Sequence, residues 1–167
     1  IANEKDNIRA LIVRSKIYNK IKFYDKALSD YEKLILLNPK NPELYFWRTD
    51  VYEDLENYEK AIEDYDVSIN LDSINSKYYS GRAFAYSKLD SLEKSIKDYS
   101  KAIELDPKDQ DPYFSLGYIY QELKEDYSSA LTNYLKVAEL NPEEPATWNN
   151  IAIIYENDLE DYDNALK

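Results

Sequence analysis

Residues 57–72 read Asn-Tyr-Glu-Lys-Ala-Ile-Glu-Asp-Tyr-Asp-Val-Ser-Ile-Asn-Leu-Asp, and residues 91–106 read Ser-Leu-Glu-Lys-Ser-Ile-Lys-Asp-Tyr-Ser-Lys-Ala-Ile-Glu-Leu-Asp. The two stretches are one unit written twice, 34 residues apart. Further copies occupy 23–38 and 126–141, and a truncated one begins at Asp161. Within each copy the apolar residues recur at helical spacing, as Ala61, Ile62, Tyr65 and Ile69 do in the first. A helical unit repeated at this period leaves an apolar face that only its neighbours cover, which predicts an all-α solenoid of stacked helix pairs.

Composition agrees and removes several function classes. With two glycines and six prolines in 167 residues, the chain has little material for tight β-turns. It holds no cysteine, histidine or methionine. Thiol nucleophiles, the usual zinc ligands and the commonest general acid–base are therefore missing, so neither an enzyme nor a metal or cofactor site is expected. Paired acids such as Asp50 and Glu53 match no calcium loop, and no glycine-rich phosphate cradle occurs. No apolar run has the length needed to span a membrane, and no signal peptide is recognisable. The compartment stays open, cytoplasmic by default. A helical pattern running into both ends reads as a piece of a longer protein.

The net charge is −12, unevenly placed. Residues 1–40 carry nine basic and five acidic groups, a local +4, and the remainder carries −16. An acidic surface repels a phosphate backbone, so nucleic acid and anionic membrane are disfavoured and a basic or apolar protein partner is expected.

Helices are expected at about 7–20, 24–37, 42–54, 58–71, 76–88, 92–105, 110–124, 127–140 and 145–157, with a stub from 161. Asn41-Pro42 opens one of them with a capping asparagine and a proline at the first helical position, while Asn57, Ser91, Asp126 and Asp161 are further caps. Short connections make consecutive helices antiparallel neighbours. In the fourth copy Tyr113, Leu116, Gly117, Tyr120, Ala130, Tyr134 and Pro142 resemble the tetratricopeptide repeat pattern Trp-x-x-Leu-Gly-x-x-Tyr, Ala-x-x-x-Phe and Pro. The other copies fit with departures, among them Ser73 in place of proline. The resemblance implies a right-handed solenoid of about four and a half units, at 8–41, 42–75, 76–109, 110–144 and 145–167, forming one domain. The fourth and fifth copies each carry one extra residue, placed between their helices near Glu125 and Glu160.

Sixteen of the 18 tyrosines fall at four recurring positions and are assigned to packing, among them Tyr31, Tyr65, Tyr99 and Tyr134. Other aromatics stand off this framework. Numbering each unit from its first residue, the first helix packs through positions 4, 7, 8 and 11, so its opposite face should be polar if it meets only water. Instead it carries Phe46, Trp47, Phe84, Phe114 and Tyr118. In tetratricopeptide proteins this is the concave face where peptides dock, so the resemblance makes these residues a candidate binding strip. The competing assignment is packing on the next unit's first helix. Asp50, Glu53 and Glu122 share the face and suit a peptide with apolar anchors and basic flanks. Family members that clamp the carboxylate tail of Hsp70 or Hsp90 use lysines, asparagines and an arginine at set positions. Here those positions hold Ile12, Lys16, Trp47, Lys77 and Gly81, so such a clamp is disfavoured.

One further departure repeats. Arg14, Arg48 and Arg82 stand where the family usually has leucine, and Asp30, Asp64 and Asp98 follow 16 residues later. In the fourth unit both change together, to Leu116 and Asn133. The covariation predicts an ion pair between the two helices of each of the first three units, setting register more than net stability. The sequence thus points to a non-catalytic scaffold that holds a partner's peptide. The alternatives are a self-assembly module associating through its ends and an accessory domain of a larger enzyme.

Overall fold

The computed structural model describes residues 4–158, with side chains described over 7–156. Among the described residues the chain is all-α: α1 Glu4–Lys20, α2 Tyr24–Leu37, α3 Pro42–Asp54, α4 Tyr58–Leu71, α5 Ser76–Lys88, α6 Leu92–Leu105, α7 Asp111–Tyr118, α8 Tyr127–Leu140 and α9 Pro145–Ile153. Two π-helical turns, Ile119–Leu123 and Ile154–Asp158, continue α7 and α9. Packing divides the chain into two compact units, Ile1–Ser91 and Leu92–Lys167. The expected cap Asp161 and the extra residue near Glu160 lie outside the described residues.

Helices α3, α4, α5 and α8 begin where a side-chain oxygen supplies the missing backbone acceptor, while the cap residues of α2, α7 and α9 make no such bond. Asn41 and Asn75 Oδ1 each accept from the amide two residues on, at 3.0 and 3.2 Å, and Asp109 does the same at 3.1 Å. Asn57 and Asp126 accept from the amide three residues on. The first helices end alike. Lys22, Glu56, Asp90 and Glu125 all take φ between 53° and 62°, although none is glycine. At the first three of these turns, the next amide reaches back five residues to Tyr18, Tyr52 or Tyr86 O. At the fourth, Asp126 N reaches back six, to Tyr120 O. The extra residue of the fourth repeat therefore does not lengthen the loop near Glu125. It widens the helix into the π turn, because the loop geometry is kept and the helix absorbs the insertion.

In the first unit Ala27, Tyr31, Leu34, Leu44 and Val51 form one cluster and Tyr52, Ala61 and Tyr65 another. In the second, Ala130, Tyr134, Ala138, Ile151 and Ile154 form the core. Tyr31, Tyr65, Tyr99 and Tyr134 are all buried. The aromatic at position 4 ties down the turn before it. Tyr45 Oη donates to Pro39 O, Tyr79 Oη to Ser73 O and Trp148 Nε1 to Pro142 O, at 3.1, 3.2 and 2.8 Å. Since the acceptor is a backbone carbonyl, Ser73 serves as well as proline.

Candidate functional site

The paired charges hold the helices that carry the site. Arg14 donates to Asp30 through Nε and Nη2 at 2.7 and 2.8 Å, and Arg48 donates to Asp64 through the same two nitrogens at 2.7 Å each. Both contacts are bidentate, the geometry in which a planar guanidinium matches a carboxylate. Their electrostatics differ with burial. The Arg14 hydrogen bond holds the Asp30 carboxyl below its ordinary range although Asp30 is buried, while Arg14 itself remains half exposed. Arg48 is covered far more than Arg14, and desolvation raises the Asp64 carboxyl despite its partner. Arg82 Nη1 donates to Asp66 Oδ1 of α4 at 2.5 Å. Asp98, its expected partner, is buried on α6. In the fourth repeat Leu116 is buried, and Asn133 Nδ2 donates to Ser129 O of its own helix instead of bridging.

The off-framework aromatics divide by repeat position. At position 5, Phe46 and Phe114 are partly buried wedges. Phe46 lies 6.1 Å from the Tyr65 ring and 5.0 Å from the Tyr78 ring, filling the seam of α3, α4 and α5. Phe114 meets Tyr134 edge-on at 5.5 Å. It also lines a cleft of about 310 Å³ with Gln110, Asp111, Ser115, Val137 and Glu144. Position 9 points outward: Lys16, Asp50, Phe84 and Tyr118 are all exposed. Phe84 touches Tyr58 edge-on at 6.3 Å and keeps 38% of its surface, while Tyr118 keeps 52%. Trp47 packs on the first core cluster, and Lys16 Nζ sits 3.7 Å from its ring centroid. That cation–π contact already occupies one face of the indole. In the sequence Lys16 stands out only at a clamp position, which gives no sign of the Trp47 ring beneath it.

The acids at the end of α3 perturb one another. Desolvation, with Asp54 one turn away, raises the Asp50 carboxyl, and Lys16 partly opposes this. Glu53 is half-buried, accepts from Tyr65 Oη at 2.8 Å, and is pushed up to about 7 by desolvation, against the hydrogen bond and with Asp50 and Asp54 adding repulsion. Gly81 of α5 completes this arrangement, since a Cβ there would lie 2.3 Å from the Tyr65 hydroxyl. In the second unit Glu122 is exposed. No group of histidine, cysteine or acidic residues suited to a metal ion occurs among the described residues, and no described helix is long and apolar enough to cross a membrane.

Comparison with known proteins gives a consistent result. Tetratricopeptide repeat models match residues 8–41 and 111–144, residues 30–63, and residues 88–124. Among solved structures, MamA is similar over 97% of this chain and 87% of its own, with TM-score 0.84 and 22% identity. YrrB, described as a tetratricopeptide protein with an unusual peptide-binding site, matches over 93% of this chain and 79% of its own, with TM-score 0.73 and 20% identity. The first tetratricopeptide domain of Spaghetti (RPAP3), bound to the HSP90 peptide SRMEEVD, matches over 70% of this chain and 93% of its own, with TM-score 0.66 and 31% identity. No curated protein sequence matches the chain.

Proposed function

Because the chain belongs to the tetratricopeptide repeat family, we propose that it is a non-catalytic protein-interaction scaffold whose first helices hold a peptide segment of a partner. The occupant is apolar with basic flanks. In the first unit Phe84 and Trp47 are its anchors and Asp50 and Glu53 its charge partners. In the second, Tyr118 and Phe114 with Glu122 play the same parts. The carrying observation is the exposure of Asp50, Phe84 and Tyr118 at position 9, on a face that has no framework role. Large aromatics left in water beside carboxylates suit an interface that desolvates them on binding.

Peptide recognition by the relatives YrrB and Spaghetti (RPAP3) supports the class of ligand. The charge differs from that of the HSP90 peptide, whose Glu-Glu-Val-Asp end would meet Asp50, Glu53 and Asp54 here as like charges. Phe46 serves the reading indirectly, as the wedge that holds α3 against α4 and α5. The test is capture of partners from native lysate by the full chain, by Phe84→Ala and by Trp47→Ala. Loss of the same partner in both, with helicity unchanged, supports the reading. Retention in both contradicts it.

A second reading, association of copies through α1, rests on Ile17, which is 52% exposed. The equivalent positions Val51, Ala85 and Ile119 are 0%, 0% and 2% exposed. Light scattering over a concentration and salt series tests it. Association abolished by Ile17→Lys favours this reading, and a monomer throughout removes it. Dissolution by added salt identifies contacts between the basic first end and the acidic remainder.

A further inference from the structure

Tyr65 and Tyr134 occupy the same repeat position and are both buried, yet only one has a destination for its proton. Tyr65 Oη donates to Glu53, the residue that follows Tyr52 in α3. In the fourth repeat the corresponding residue after Tyr120 is Gln121, which lies inside the π turn. Tyr134 Oη finds no acceptor there, although the Asn150 amide is close enough to stabilise the phenolate form. The Tyr65–Glu53 contact is therefore not a consequence of the framework tyrosine alone. It is built from three helices. α3 supplies the carboxylate, α4 the hydroxyl, and α5 the glycine without which its backbone could not lie against that hydroxyl. Phe46 covers the Tyr65 ring.

We propose that the Glu53 carboxyl, seated on the Tyr65 hydroxyl in the seam of α3, α4 and α5, is a proton switch that sets the charge of this face and the closeness of the seam. The charged neighbours leave the proton little competition. Asp50 and Asp54 stand three residues before and one after Glu53 on α3, and Tyr65 faces it from α4. From α1, Lys16 acts on Asp50, and α5 brings the backbone of Gly81. Among the described residues no cation opposes Glu53 directly. With Glu53 protonated, the last turn of α3 carries only the charges of Asp50 and Asp54, and the seam holds a neutral acid on a neutral phenol. Loss of the proton to solvent creates three carboxylates within two turns. The new anion lies where burial disfavours it, so the seam gains by opening to water.

The switch operates whether or not a peptide docks at this face, and it is read on the free protein. The experiment is a carbon-detected NMR titration of the side-chain carboxyls of the full chain from pH 4 to 9, with amide spectra at each point. The expected result is a Glu53 midpoint at about 7, with Tyr65 and Gly81 amide signals moving at the same midpoint. Glu53→Gln should abolish both movements. Asp54→Asn, an exposed change, should lower the midpoint by removing a like charge, and Tyr65→Phe should raise it by removing the donor. A midpoint at or below 5, or flat Tyr65 and Gly81 signals across the Glu53 transition, overturns the proposal.

Discussion

Breaking the Arg48–Asp64 pair from one side and from both sides separates what its burial costs from what its attraction returns. The guanidinium retains 16% of its surface and the carboxylate 6%, with two hydrogen bonds of 2.7 Å between them. Arg48→Leu leaves a buried carboxylate without its partner and removes cation–π contacts at 5.9 and 5.6 Å to Tyr45 and Tyr52. The expected loss is about 3–5 kcal/mol. Asp64→Asn leaves the cation with one weaker acceptor and should cost about 2–3 kcal/mol. The double substitution reproduces the Leu116 and Asn133 combination that the chain itself uses in the fourth repeat. It should lie within about 1 kcal/mol of the unchanged protein, because no uncompensated charge remains. The coupling between the sites is then several kcal/mol. Urea unfolding followed by Trp47 fluorescence in a Trp148→Phe background reads the first unit separately from the second. Additive single effects, or an Arg48→Leu cost below about 1 kcal/mol, would refute the account of this pair as a register lock paid for by desolvation.

Other expectations follow from the same geometry. Arg14→Leu should cost less than Arg48→Leu in the same unfolding assay, because Arg14 is half exposed and loses little packing, whereas Arg48 is largely covered. Glu56→Gly and Asp90→Gly should each raise stability by up to about 1 kcal/mol, since both residues hold a left-handed backbone that glycine adopts freely. The raised Glu53 carboxyl keeps its proton in the folded chain up to about 7, whereas the unfolded chain loses it near its ordinary value of 4.5. Stability should therefore fall as pH rises from about 4.5 to 7, by about 1–3 kcal/mol, and stay lower above that. Thermal melts of Glu53→Gln should lack this part of the pH dependence. Gly81→Ala should displace the Tyr65 ring and destabilise the first unit by about 1–3 kcal/mol in urea.

The helices and their caps were legible because a 34-residue period repeats each signal several times, so a weak cue such as Asn57 before an apolar stripe is read more than once. The Arg14–Asp30 and Arg48–Asp64 pairs are legible because the fourth repeat changes both members together, whereas the contact of Arg82 with Asp66 has no such signal. The π turn was not: the sequence shows one residue too many between Tyr120 and Asp126, and only the energetics of loop and helix decide which absorbs it. A helical wheel puts position 9 opposite the packing stripe and position 5 on its flank, but it does not show how far the neighbouring helices reach over that flank. The neighbouring helices decide that Phe46 and Phe114 wedge inward while Asp50, Phe84 and Tyr118 face out. Lys16 over Trp47, and Glu53 on Tyr65, join residues from different helices whose relative heights no single repeat reveals. Gly81 carried a visible signal, a glycine inside a helical pattern, which usually marks a close approach.

The central claim, that the face carrying position 9 is where a partner peptide lies, is tested most directly by site-specific photocrosslinking of the full chain in its native cell. A photoreactive phenylalanine analogue would replace Phe84 in the first unit, Tyr118 in the second, or Leu36, which is 81% exposed on α2. The account predicts a discrete protein adduct from positions 84 and 118 and none from 36. An adduct from 36 with none from 84 or 118 would contradict it.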